Sequence, residues 1–180
     1  MTAPGYPPNY QRLDRLHQRF TTLETSLDTA REALYAAIIR HLNARNARPG
    51  NVADHSPWDR VWISGIARKA GVPPVKGPNA VGPPPVYDPD TEAAALAELD
   101  KLTAAYRKAE KGLEDLVPLI HQEIRRKHRE EGRTPAEITP HTPYEANWVG
   151  DICRGTVELS ASGGVSRRRA SSRKKRSAAE

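Results

Sequence analysis

The sequence predicts an all-α fold in which two long helices pair as a coiled coil and each leads into a compact helical head. Three observations predict it. The stretch "HSPWDRVWISGIARKAG", residues 55–71, returns 86 positions later as "HTPYEANWVGDICRGT", residues 141–156, with His, Pro, Trp, Ile and Arg kept in place. Apolar residues ahead of each copy recur at helical spacing. Between the copies lies "GVPPVKGPNAVGPPPVYDPD", residues 71–90, too rich in Pro and Gly for a helix or a central strand.

The self-similarity extends well beyond the heads. Moved by 86 without a gap, Leu13, Asp14 and Leu16 meet Leu99, Asp100 and Leu102, while Phe20 meets Tyr106, Leu27 meets Leu113 and Ile38 meets Ile124. Pro49 meets Pro135, and then come His55 and His141, Pro57 and Pro143, Trp58 and Tyr144, Asp59 and Glu145, Trp62 and Trp148, Ile66 and Ile152, Arg68 and Arg154. Colinear matching of this kind points to an internal duplication. It divides the chain into a disordered N-terminus (1–8), a first repeat (9–71), a linker (72–90), a second repeat (91–157) and a disordered basic tail (158–180).

Each repeat opens with a long helix. Leu13, Leu16, Phe20, Leu23, Leu27, Ala30 and Leu34 alternate steps of three and four, and Leu99, Leu102, Tyr106, Ala109, Leu113, Leu116 and Ile120 do the same. This alternation is the seam of a coiled coil; Ile38 and Leu42 then continue at intervals of four, as in ordinary globular packing. Pro118 lacks a backbone donor and crowds the preceding turn, so a kink or a restart is expected there. An arm of about 36 residues is roughly 54 Å long and 20 residues of polyproline II reach roughly 62 Å. A linker that long and stiff favours parallel arms with both heads at one end, since an antiparallel hairpin needs only about 2–8 residues.

Each head reads as a short helix opened by Pro49 or Pro135, a tight turn at Ser56-Pro57 or Thr142-Pro143, and a further helix started by Asp59 or Glu145. The spacing of Ala53, Pro57, Trp58, Ile63 and Ile66, repeated as Thr139, Pro143, Tyr144, Val149 and Ile152, resembles the helix-turn-helix family of DNA-binding proteins over about 20–25 residues per copy. Two positions depart from that family: Pro stands where Gly is usual at the turn, and Thr139 replaces the small residue between the helices. The resemblance implies a bacterial transcriptional regulator, or a plasmid- or phage-type DNA-binding factor, that works as a fused pseudo-dimer on double-stranded DNA. It further implies that the second helix of each head offers its N-terminal half to the major groove. On the first head that face holds Arg60, Val61, Ser64, Gly65 and Arg68, with Lys69 beside it. The second presents Asn147 and Arg154, with Ala146 and Gly150, but also Asp151, which repels phosphate.

Charge separates the parts of the chain. From Ser166 onward, Arg167, Arg168, Arg169, Arg173, Lys174, Lys175 and Arg176 stand against Glu180, which equals the net +6 of the whole chain and leaves residues 1–165 neutral overall. The first repeat has ten basic and six acidic residues, a net +4; the second has ten and twelve, a net −2. The first head is therefore the better DNA reader, and the tail is a candidate sequence-independent clamp on phosphate. A scaffold is the rival class: coiled-coil arms that carry a protein partner or a second copy, heads that bind partners, and a tail that alone touches nucleic acid.

Other features read blandly. His55 and His141 are each alone in their repeat, so helix-end histidines are expected and no metal site. Trp62 and Trp148 are expected to pack between head and arm, and the mixed charges of "HQEIRRKHREEGR", residues 121–133, to form a solvated helix face. The single Cys153 excludes an internal disulfide and is expected to be a buried thiol. No phosphate-cradling glycine loop, nucleophile elbow or paired carboxylates occur, so neither an enzyme nor a cofactor is expected. The first residues, "MTAPGYPPNY", carry neither a basic start nor an apolar run, and no stretch reaches the length of a membrane span, so the expected compartment is the cytoplasm.

Overall fold

The computed structural model describes residues 9–75, 80 and 83–157; the expected disordered ends at 1–8 and 158–180 lie outside the described residues. The described part is helical throughout, with no strand. Its elements are α1 (Gln11–Asn43), α2 (Pro49–Asp54), α3 (Arg60–Lys69), α4 (Pro89–Arg129), α5 (Pro135–Ile138), a 3-10 turn (Thr139–His141) and α6 (Ala146–Arg154).

Helix boundaries follow from side-chain chemistry. Asn9 starts α1 by accepting the Gln11 N–H at 3.0 Å. Asp88 starts α4, taking the Thr91 N–H at 2.8 Å and its hydroxyl at 2.6 Å, with Pro89 as the first helical residue. The short helices α2 and α5 also begin on proline, where the absent N–H costs nothing. Thr134 and Glu137 close a reciprocal capping box on α5. Helix α4 runs unbroken through Pro118, so the expected restart does not occur. The donor that Pro118 lacks would have served the carbonyl of Glu114, an exposed residue on the helix surface.

The chain forms two compact units, Met1–Glu24 with Lys111–Glu180, and Thr25–Glu110. Neither coincides with a sequence repeat: each combines the start of one long helix with the end of the other and a single head. In the first unit the Asn9 carbonyl accepts from Lys127 Nζ at 2.5 Å, Arg12 pairs with Glu123 at 3.4 Å, and Leu23 lies against Gly112. Rising numbers on α1 meet falling numbers on α4. The second unit shows the same sense, with Arg40 on Glu98 at 2.5 Å and Arg48 on Glu92 at 2.7 Å. The arms are thus antiparallel within each unit, against the parallel expectation. The linker accounts for the difference, because both its ends are held near the end of α1. Arg45 donates to the Pro73 carbonyl at 2.8 Å, and the Arg48 guanidinium lies 5.3 Å from the Tyr87 ring centre.

Each unit has its own apolar core. In Thr25–Glu110 the fully covered side chains include Leu34, Ile38, Val52, Ile63 and Leu99. In the other unit they include Leu13, Leu116, Ile120, Ile124, Ile138 and Ile152. Burying such an aliphatic side chain contributes about 1.5–3 kcal/mol, so these rows carry most of the stability. The seam positions Leu16, Leu23 and Leu102 are only half-buried.

Positions 86 apart make matching contacts in the two units. His55 Nδ1 lies 2.9 Å from Asp100 Oδ1, and His141 Nδ1 lies 2.7 Å from Asp14 Oδ1. The Ser56 hydroxyl donates to the Ala53 carbonyl at 3.2 Å and that of Thr142 to the Thr139 carbonyl at 3.1 Å. Trp58 packs on Tyr106 with ring centres 5.5 Å apart, and Tyr144 on Phe20 at 6.2 Å.

Candidate nucleic-acid interface

The first head is assembled around Ser56, Asp59 and Ile63. Pro57 turns the chain away from α2, and the buried Ser56 hydroxyl bonds the Ala53 carbonyl and lies 3.1 Å from that of Trp58, closing the turn from inside. Asp59 then caps α3 by accepting the Trp62 N–H at 2.8 Å. Ile63, 1% exposed, anchors the helix, with Ile66 and Ala67 half-buried beside it. One anchored side of a ten-residue helix leaves the rest of its circumference outward.

That outward side carries the residues expected from the sequence. Arg60, Ser64, Arg68 and Lys69 are exposed, and Gly65 is partly covered. Among the described residues no acidic side chain lies within ion-pair distance of Arg60, Arg68 or Lys69. The Ser64 hydroxyl donates to the Arg60 carbonyl at 2.8 Å, which leaves its lone pairs facing outward. Two apolar side chains share the surface: Val61, 82% exposed, and Trp62, 54% exposed. Trp62, for which packing between head and arm is expected, stays more than half exposed, and Ile63, the next residue, takes the inward direction about 100° away on the helix. Its neighbourhood carries a sequence signal: Trp62 stands three residues from Gly65 and seven from Lys69, on their side of the helix.

The second head is built alike but turned in on itself. Helix α6 buries Val149, Gly150, Ile152 and Cys153, and Trp148 is half-buried. Glu145 starts α6 without a side-chain cap bond. Asn147 and Arg154 are exposed, yet Arg154 is bound to Asp151 at 2.6 Å and lays its guanidinium beside Gly150. Arg154 is therefore a compensated charge. The basic residues Arg167, Arg168, Arg169, Arg173, Lys174, Lys175 and Arg176 lie outside the described residues.

Elsewhere the polar chemistry serves the fold. The stretch 121–133 is not a solvated face: Glu123 and Lys127 are almost completely covered. Glu123 is bound by Arg126 at 2.7 Å, and Lys127 bonds Glu131 at 2.8 Å. The hydrogen bond from Lys127 holds the Glu131 carboxyl below its ordinary range, and the bond to Glu123 raises the already high pKa of Arg126. A cleft of about 450 Å³ is lined by Arg12, Glu123, Arg125, Arg126, Arg129 and Glu130 among others. Its arginines are largely engaged, since Arg125 donates to the carbonyls of Ile152 and Val157. Burial pushes the Cys153 thiol up. Among the described residues no three His, Cys, Asp or Glu side chains are grouped to hold a metal, and no helix is long and apolar enough to cross a membrane.

No protein-family profile, no curated protein and no solved structure matches the chain.

Proposed function

We propose that the protein binds double-stranded DNA, with the outward side of α3 as its principal contact surface. Arg60, Ser64, Gly65, Arg68 and Lys69 form that surface. Asn147 and Arg154 on the second head contribute less, and the basic tail from Arg167 to Arg176 adds sequence-independent affinity. The single observation that carries this is the row of cations on α3 with no acidic partner among the described residues, on a helix held by its opposite side. Cations left uncompensated on a rigid helix match the repeating negative charge of a duplex, and arginine also suits guanine edges. The bent pair α2 and α3, met again as α5 and α6, fits the helix-turn-helix resemblance, so the chain acts as a fused pseudo-dimer in gene regulation or in plasmid or phage maintenance.

A scaffold is the second reading, favoured by exposed Val61 and Trp62 and by the acidic second repeat. Fluorescence anisotropy on a pool of random duplexes separates the two. The full chain binds, a chain ending at Val165 binds more weakly with a flatter salt dependence, and Arg60→Ala with Arg68→Ala removes sequence selection. Each lost phosphate contact lowers the salt slope by about 0.9. A tailless chain with no duplex affinity at low salt puts the scaffold in front.

A further inference from the structure

The turn that leads into α3 is fastened to α4 by three residues of that helix. Asp100, Thr103 and Tyr106 stand three apart along it. The Asp100 carboxylate, which can only accept, lies 2.9 Å from His55 Nδ1. The buried Thr103 hydroxyl donates to the His55 carbonyl at 3.0 Å, a group at the end of α2 that has no further helical turn to satisfy it. Tyr106 packs on Trp58 with ring centres 5.5 Å apart, and Tyr35 of α1 does so at 4.7 Å. Arg60, the first residue of α3, follows two positions after Trp58.

A pair whose carboxylate side chain is 61% exposed stabilises a fold little. What it fixes is direction. A ten-residue helix is about 15 Å long, so a tilt of about 10° at its start moves its far end by about 2.5 Å, where a binding contact needs placement within about 0.5 Å. We propose that Asp100 and Thr103 are positioning residues for DNA recognition. By holding His55 through its ring and its carbonyl, they set the direction of α3, and with it where Arg60, Ser64 and Arg68 meet a duplex. This rests on the DNA reading above and adds the residues that aim the contact row without belonging to it. The other unit repeats the pair as His141 with Asp14, although position 17, the counterpart of Thr103, is histidine.

The test uses the full chain, a duplex enriched by it from a random pool, and an unrelated duplex of the same length. Asp100→Ala lowers affinity for the enriched duplex at least about fivefold, the equivalent of one bidentate base contact, and leaves the unrelated duplex unchanged. Thr103→Val does the same. Asp100→Asn keeps an acceptor for His55 and restores the preference. Asp14→Ala breaks the equivalent pair in the other unit and, standing in the first turn of α1, lowers the urea midpoint at least as far as Asp100→Ala, yet keeps the preference. Circular dichroism shows which variants are folded; if Thr103→Val is not, Asp100→Ala, at an exposed position, decides. Full preference in Asp100→Ala or in a folded Thr103→Val, no recovery in Asp100→Asn, or the same loss of preference in Asp14→Ala overturns the positioning role and leaves duplex binding standing. Equal loss on both duplexes, or a chain that binds duplexes without enriching one, does so too. No duplex binding by the unmodified chain overturns both.

Discussion

Glu123→Gln is the most informative change to the fold. Glu123 is 1% exposed and accepts from Arg126 Nε at 3.2 and 3.1 Å and from Arg126 Nη2 at 2.7 Å, with Arg12 Nε at 3.4 Å. Glutamine keeps the shape and one acceptor oxygen but turns an NH2 group towards donors that need an acceptor. A hydrogen bond to a charged group is worth about 1.5–3 kcal/mol. Two effects pull the cost to the lower part of that range. Neutral glutamine is cheaper to bury, and Arg126, 37% exposed, keeps Glu131 at 3.0 Å. The expected loss is about 2 kcal/mol, read as a lower urea midpoint at unchanged slope, or a fall in melting temperature of roughly 4–8 °C for a chain of this size. Circular dichroism at 222 nm follows either transition. A loss below about 0.5 kcal/mol would mean that the Glu123 charge contributes nothing beyond filling space, and the buried ion network would have to be abandoned as a stabilising element.

The remaining predictions concern a cap and pH. Asp59→Ala removes the acceptor for the Trp62 N–H and costs about 1 kcal/mol, whereas Glu145→Ala, at a position with no cap bond, stays within about 0.3 kcal/mol; urea midpoints of the two variants compare them directly. Stability falls with acid. The Glu98 carboxyl is held low chiefly by its bond to Arg40 and that of Glu131 chiefly by Lys127, so both are depressed in the folded state relative to the ordinary 4.5. Their contribution is fully present above that value and is lost as the pH falls through it to the lower folded values. Melting temperatures taken from pH 7 to pH 3 should decline, less steeply in Arg40→Ala; a flat profile would exclude both groups as contributors.

Much of the helical content was legible because spacing reports directly which positions share a face. The three-four steps locate the buried sides of α1 and α4, and Pro49, Pro135 and Asp59 mark helix starts by their backbone and side-chain chemistry. Direction was not legible. A row of leucines fits a neighbour running either way, and the charges that decide it, Arg12 with Glu123 and Arg40 with Glu98, are recognisable as pairs only once the two helices are side by side. The stretch 121–133 misled for a related reason. Its alternating signs suit a wet surface, but two of them, Glu123 and Lys127, fall on the same side as Ile120 and Ile124 and find partners there. On α3 the spacing correctly placed Arg60, Ser64 and Arg68 outward. The recurrence of Trp62 as Trp148 suggests packing at both, but only Trp148 is largely covered, because Ile63 and Ile66 hold the inward side of α3.

The matching contacts also explain why the two heads can differ in chemistry while sharing a frame. In each unit the head of one sequence repeat is fastened to the long helix of the other, through His55 and Asp100 or His141 and Asp14, and through Trp58 and Tyr106 or Tyr144 and Phe20. Each head therefore rests on the long helix from the other half of the chain. These contacts use the inward side of each head. The outward side is not bound by them: on α3 it keeps Gly65 open and Arg68 without an acidic partner, while on α6 Asp151 captures Arg154 across Gly150. Selection for binding could act on the outer side of the first head without disturbing either frame. In the DNA reading, the second head then serves mainly to hold the first unit together, and its weak surface is what such a division of roles requires.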